Sequence, residues 1–132
     1  MKSNLVNHKL VGFLALFFTL AIVLGAFGAH GLKGKIPSNE LDAYKTGVLY
    51  HLIMTLFALF ASQFVKPKMV LGIVAGTFVF SFSIYTASLL TLNNISVPTI
   101  LRIATPVGGS VMIIFSLLCS YSFLTFQSVK SE

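Results

Sequence analysis

Six side chains of this sequence stand where hydrocarbon would be expected: His30, Tyr50, His51, Tyr85, Arg102 and Thr105. Each lies inside or at the rim of a long apolar run. Ionisable groups in such runs mark functional sites by default. Imidazole exchanges protons near neutral pH, guanidinium binds anions, and phenol and hydroxyl groups donate and accept hydrogen bonds. Together they suit a one-sided polar pocket for a proton, an ion or a small solute.

Other chemistry finds little support. Of the three carboxylates, Glu40 and Asp42 fall in a polar stretch between runs and read as solvated loop charges, while Glu132 is the C-terminal residue. No acid/base pair lies within an apolar run, and no nucleophile–base motif, phosphate loop or Cys-x-x-Cys is present. The sequence therefore predicts no enzyme and no catalytic residues. His8, His30 and His51 are too few and too scattered for a metal or haem site, so no metal and no cofactor is expected. Cys119 is the single cysteine; it forms no internal disulfide and reads as a small buried hydrophobe.

The elements that position these groups follow from hydropathy. Of 132 residues, 56% are hydrophobic and 9% charged, against roughly 25% charged in soluble domains. A chain this small cannot cover a water-facing surface with so few charges, so lipid is its solvent. Four runs, about 10–29, 46–65, 69–92 and 101–126, are long enough as helices to cross a core of about 30 Å. Residues 10–29 include no charge and exceed a signal-peptide core, so this run reads as a retained helix. Gly31, Gly34 and Pro37 break the chain. Ser38 is expected to cap a short interfacial helix before the second span, with Tyr44 at headgroup depth. Pro106 is expected in the first turns of the fourth helix, where a missing N–H costs little.

The expected fold is all-α, a single domain over 1–132 of four antiparallel transmembrane helices. Small residues punctuate the runs. Gly25 and Gly28 with Ala21 and Ala29, Gly72 and Gly76, and Gly108 and Gly109 are expected to let helices approach closely. His51, Thr55, Ala58 and Ser62 form a thin stripe that should face protein. Short connections make neighbours antiparallel, which collects the six polar residues at one end of the bundle.

The net charge of +6 comes from cations placed between the runs. That is the pattern of headgroup contact, not of a nucleic-acid face. Lys2, Lys9, Lys66, Lys68 and Lys130 fall on one side and Lys33, Lys35, Lys45 and Arg102 on the other. Five against four places both termini in the cytoplasm by the positive-inside rule.

Four motifs occur in order: Gly25-Ala26-Phe27-Gly28-Ala29-His30, Thr46-Gly47 followed by Tyr50, Phe80-Ser81 followed by Tyr85, and Thr105-Pro106-Val107-Gly108-Gly109. In these the chain resembles the small membrane proteins grouped as domain of unknown function 423. The resemblance implies four membrane helices in the bacterial plasma membrane and supplies no activity. The family usually carries Gln after the helix-two Tyr and His three residues on. Here those positions are His51 and Met54, which puts the imidazole one turn earlier.

Two functions remain. In one, the protein is a structural bundle that self-associates or accompanies a membrane complex, its polar residues bonding between helices. In the other, it is a small-solute, proton or ion transporter or channel built on the one-sided pocket.

Overall fold

The structure is a computed structural model that describes residues 7–128. Lys2, Lys130 and Glu132, invoked above for sidedness and chemistry, lie outside the described residues. Every regular element described is helical: α1 (His8–Phe27), a π turn (Gly28–Leu32), α2 (Ser38–Ala61), α3 (Pro67–Leu92) and α4 (Thr99–Ser128). All four helices are long and apolar enough to cross a membrane.

Local chemistry sets the ends. The Asn7 side chain accepts the Leu10 amide at 3.1 Å and caps α1. Pro67 opens α3, where its missing N–H and fixed φ are tolerated. Gly34 takes φ +75° in the loop after the π turn, a conformation that costs glycine little.

Three expectations about these elements are corrected. No separate interfacial helix precedes the second span: α2 runs unbroken from Ser38 to Ala61. No breaker lies between Ser38 and Thr46, so each added residue gains a backbone bond. The cap is Pro37, with no side-chain cap bond, and its carbonyl accepts from the Glu40 and Leu41 amides at 3.1 and 3.0 Å. Pro106 sits inside α4, which begins at Thr99, so the Arg102 carbonyl lacks the amide that would normally reach it.

Pairwise contacts give the topology. From α1 to α2, Phe17 packs on His51, while a Cβ on Gly25 would meet Val48 and one on Gly28 would meet Tyr44. From α2 to α3, Glu40 pairs with Thr91, Gly47 with Ser81, and His51 packs on Phe82. From α3 to α4, Gly72 faces Phe115 and Gly76 faces Met112 and Gly108. Across each pair, low numbers on one helix meet high numbers on the next, so neighbouring helices are antiparallel. Chain order is also packing order.

Two apolar clusters fill the bundle. One gathers Leu10, Leu14, Phe17, Ala58, Ala61, Val70, Ile73, Val74 and Cys119. The other gathers Leu32, Ile36, Tyr44 and Tyr85 at the end bearing the loop after the π turn. Large apolar side chains such as Leu16, Leu56, Ile100, Ile114 and Leu124 point outward. Outward Leu and Ile suit lipid, which is as apolar as they are.

The crossing of α3 and α4 is the closest approach. A Cβ on Gly76 would sit 2.6 Å from the Met112 backbone nitrogen and 3.0 Å from the Gly108 carbonyl oxygen. One on Gly108 would collide with the Phe80 backbone. Only glycine at both positions lets these backbones touch. Gly109 differs: its Cβ would lie 3.6 Å from the Phe80 ring, an ordinary contact. Adjacent helical residues point about 100° apart, so one glycine of the pair faces α3 and the other does not. Across α1 and the π turn, Ala21 and Gly28 are buried while Ala29 is exposed. Position +7 returns to within about 20° of the starting face and +8 overshoots by about 80°.

Candidate functional site

The polar groups of the spans divide into two sets. The first is a chain of bonds that ties the helices together. Tyr44, on α2, is buried and donates its hydroxyl to the Leu24 carbonyl of α1 at 2.8 Å. It is thus a clasp between α1 and α2. The absence of a side chain on Gly28 makes room for its ring. Ser81 of α3 donates to the Gly47 carbonyl of α2 at 2.9 Å. Ser83 of α3 and Thr105 of α4 have their hydroxyls 2.7 Å apart. Each neighbouring pair of helices therefore shares at least one hydrogen bond, which is the use expected of polar side chains in lipid.

His51 is fully buried at the centre of this set. Its Nδ1 lies 3.2 Å from the Tyr85 hydroxyl. When Tyr85 donates, the imidazole proton is on Nε2. Nε2 is buried and has no hydrogen bond among the described residues. The ring is packed by Phe17, Phe82 and Tyr85, with centroids 4.2, 5.8 and 6.1 Å away. Thr55 returns its hydroxyl to the His51 carbonyl at 2.6 Å.

The second set surrounds a cavity of about 370 Å³ between the beginnings of α2 and α4 and the end of α3. Arg102 and Thr105 line it from α4, Ser88 from α3, and Asn39 and Glu40 from α2. Glu40 is not a solvated loop charge. It stands in the first turn of α2 and accepts the Thr91 hydroxyl at 2.8 Å. Asp42 is exposed and pairs with Lys45 at 3.0 Å, the one ion pair among the described residues. Such an exposed pair contributes under about 1 kcal/mol.

The six residues singled out by sequence are therefore not one pocket. His51 and Tyr85 meet in the core. Arg102 and Thr105 share the cavity at the bundle end. His30 is exposed on the π turn. Tyr50 faces outward, its ring against Phe80 at 5.2 Å. Tyr44, Gly47 and Glu40 belong with the polar sets, and spacing finds the first two. Tyr44, Gly47, His51, Thr55 and Ala58 follow steps of 3, 4, 4 and 3, one helical face, and all are buried. Tyr50, six residues from Tyr44, falls well off that face. Among the described residues, no three of His, Cys, Asp and Glu come together as a metal site.

Residues 24–109 match the family model described as "Protein of unknown function (DUF423)". The chain belongs to the DUF423 family. The match includes Glu40, Tyr44, His51, Tyr85, Arg102, Thr105 and the Gly76–Gly108 crossing. The chain is also 43% identical over 104 residues to the UPF0382 membrane protein YwdK of Bacillus subtilis (strain 168), covering 72% of this chain and 79% of that protein. It is 30% identical over 100 residues to the UPF0382 membrane protein SAB0533 of Staphylococcus aureus (strain bovine RF122 / ET3-1), covering 76% and 82%. No solved structure matches. This DUF423 chain is thus a membrane protein with bacterial membrane relatives.

The bond from Tyr44 to Leu24 gives a test within this site. Tyr44→Phe removes the donor and keeps the ring beside Gly28. The variant is expected to lose about 0.5–1 kcal/mol, read as a lower midpoint of unfolding in mixed micelles. An unchanged midpoint would mean that the bond contributes nothing.

Proposed function

We propose that this protein is a non-enzymatic structural bundle of the bacterial plasma membrane, both termini cytoplasmic, that works by association with copies of itself or with a larger membrane complex. The observation that carries this reading is the internal pairing of the intramembrane polar groups. Tyr44, Ser81, Ser83, Thr105 and the His51–Tyr85 pair bond across helix interfaces. Groups committed to holding helices together are not arranged as a path through the membrane. Beyond His51, toward the other end of the bundle, the interior is the apolar cluster from Leu10 to Cys119. For association, α4 offers Gly109, Ser116 and Ser120 along a groove of about 570 Å³ shared with α2, and small residues favour close helix contact in lipid.

The alternative, passage of a proton, ion or small solute through a one-sided pocket, draws on the cavity around Arg102 and Thr105. Native mass spectrometry from nanodiscs, paired with flux assays in proteoliposomes, separates the two. The expected result is a discrete oligomer or a stoichiometric membrane partner, with proton and ion flux no higher than in protein-free vesicles. A solitary monomer that raises flux, with that flux lost in Arg102→Gln, would overturn the association reading in favour of passage.

A further inference from the structure

We propose that the cavity between α2, α3 and α4 is a binding site for a zwitterion, a primary ammonium held a few bonds from an anionic phosphate or carboxylate. Its walls carry opposite charges that do not meet. Glu40 stands on the α2 side, its carboxylate fixed by the Thr91 hydroxyl at 2.8 Å. Arg102 stands on the α4 side, exposed at the cavity mouth, and its guanidinium makes neither an ion pair nor a hydrogen bond among the described residues. A third group, Ser88, is 2% exposed, lines the cavity and makes no hydrogen bond among the described residues. Its hydroxyl is therefore available from the cavity to an occupant that donates or accepts a hydrogen bond.

The charges select the ligand class. A simple anion would pair with Arg102 but face the Glu40 carboxylate; a simple cation would meet the reverse conflict. A neutral molecule with separated charges satisfies both walls. Its anionic group takes the planar guanidinium fork. Its ammonium has three donors, enough for Glu40, Ser88 and the Asn39 amide oxygen. The volume of about 370 Å³ falls within the range of small-molecule sites. Ala43, Ile84 and Leu101 supply apolar wall between the charged ends. Two sources share this chemistry: the headgroup of an aminophospholipid, and a free amino zwitterion. The cavity's place at the polar ends of three spanning helices puts it at headgroup level.

The test uses the full chain in nanodiscs of equimolar phosphatidylethanolamine, phosphatidylglycerol and phosphatidylcholine, with retained lipids counted by native mass spectrometry. A second arm titrates soluble phosphoethanolamine against the protein in pure phosphatidylcholine nanodiscs by calorimetry. Glu40→Gln and Arg102→Gln are each expected to weaken retention about tenfold, the scale of one hydrogen bond to a charged group. Circular dichroism verifies that they fold, and Ser88→Ala provides a milder third variant. Selective retention of phosphatidylethanolamine, lost in both charge variants, supports the site with a lipid occupant. Binding of phosphoethanolamine without lipid selectivity, lost in the same variants, supports it with a soluble occupant. Equal retention of phosphatidylglycerol and phosphatidylethanolamine, sensitive to Arg102→Gln alone, overturns it in favour of a plain anion contact. Absence of both selectivity and binding in the wild type, which needs no variant to fold, also overturns it.

Discussion

Gly108→Leu is expected to abolish the folded bundle, while Gly109→Leu, one residue away, is expected to leave it nearly intact. The contrast follows from what each new side chain would strike. At Gly108 the first added carbon already collides with the Phe80 backbone and comes within 2.9 Å of the Gly76 carbonyl oxygen. Backbone atoms of a helix cannot rotate aside as a flexible side chain does, so α3 and α4 must separate. Overpacking a core costs about 1–3 kcal/mol when side chains can adjust; with two backbones in contact the cost is expected at or above the top of that range. Separation would also pull Ser83 from Thr105 and Gly72 from the Phe115 ring. At Gly109 the first carbon meets the Phe80 ring at 3.6 Å, and the rest of a leucine extends along an open groove. Yield of monodisperse protein and the midpoint of unfolding in mixed micelles read the difference. Equal behaviour of the two variants would show that the α3–α4 crossing is not where the bundle is held. Gly76→Leu should follow Gly108→Leu, because its Cβ would strike the Met112 backbone nitrogen.

That pair of glycines also marks how far sequence carries in this chain. Apolar runs of spanning length predict four helices, and short connections predict antiparallel neighbours, because both follow from solvent and chain length alone. Rotation of a helix about its axis is harder to read. A lipid-facing residue and a buried one are both apolar here, so the usual contrast between faces is weak. Only small and polar residues report the buried face, and they do so as sets, not singly. Tyr44, Gly47, His51, Thr55 and Ala58 form such a set; Tyr50, taken alone for its hydroxyl, does not belong to it. His30 is exposed because it rides on a π turn, an irregularity that no composition signal announces. In a loop or a separate interfacial helix, Glu40 has no partner that spacing could predict. Once α2 is continuous from Ser38, Glu40 comes within reach of Thr91 near the end of α3.

His51→Ala is expected to destabilise the bundle by about 2–4 kcal/mol, while His30→Ala changes stability by less than about 0.5 kcal/mol. His51 is the larger effect because three costs coincide. The imidazole fills space among Phe17, Phe82 and Tyr85, and truncation leaves a cavity that a packed helix pair closes only in part. The Tyr85 hydroxyl loses its partner at 3.2 Å. And α1, joined to the bundle largely through α2, loses the Phe17 contact while keeping Tyr44 and Val48 near the other end. The damage should therefore concentrate in the first half of α1, with amide exchange rising there more than at the α3–α4 crossing. His51→Phe keeps the aromatic volume but not the bond, and is expected to recover most of the stability. His30 has no hydrogen bond among the described residues and is exposed on the π turn, so its removal disturbs no packing. The result bears on function as well as fold. If His51→Phe restores both stability and assembly, the imidazole is a packing group, as the association reading requires. A His51→Ala protein as stable as the wild type would show that this buried ring, with its unbonded Nε2, is not held for its packing.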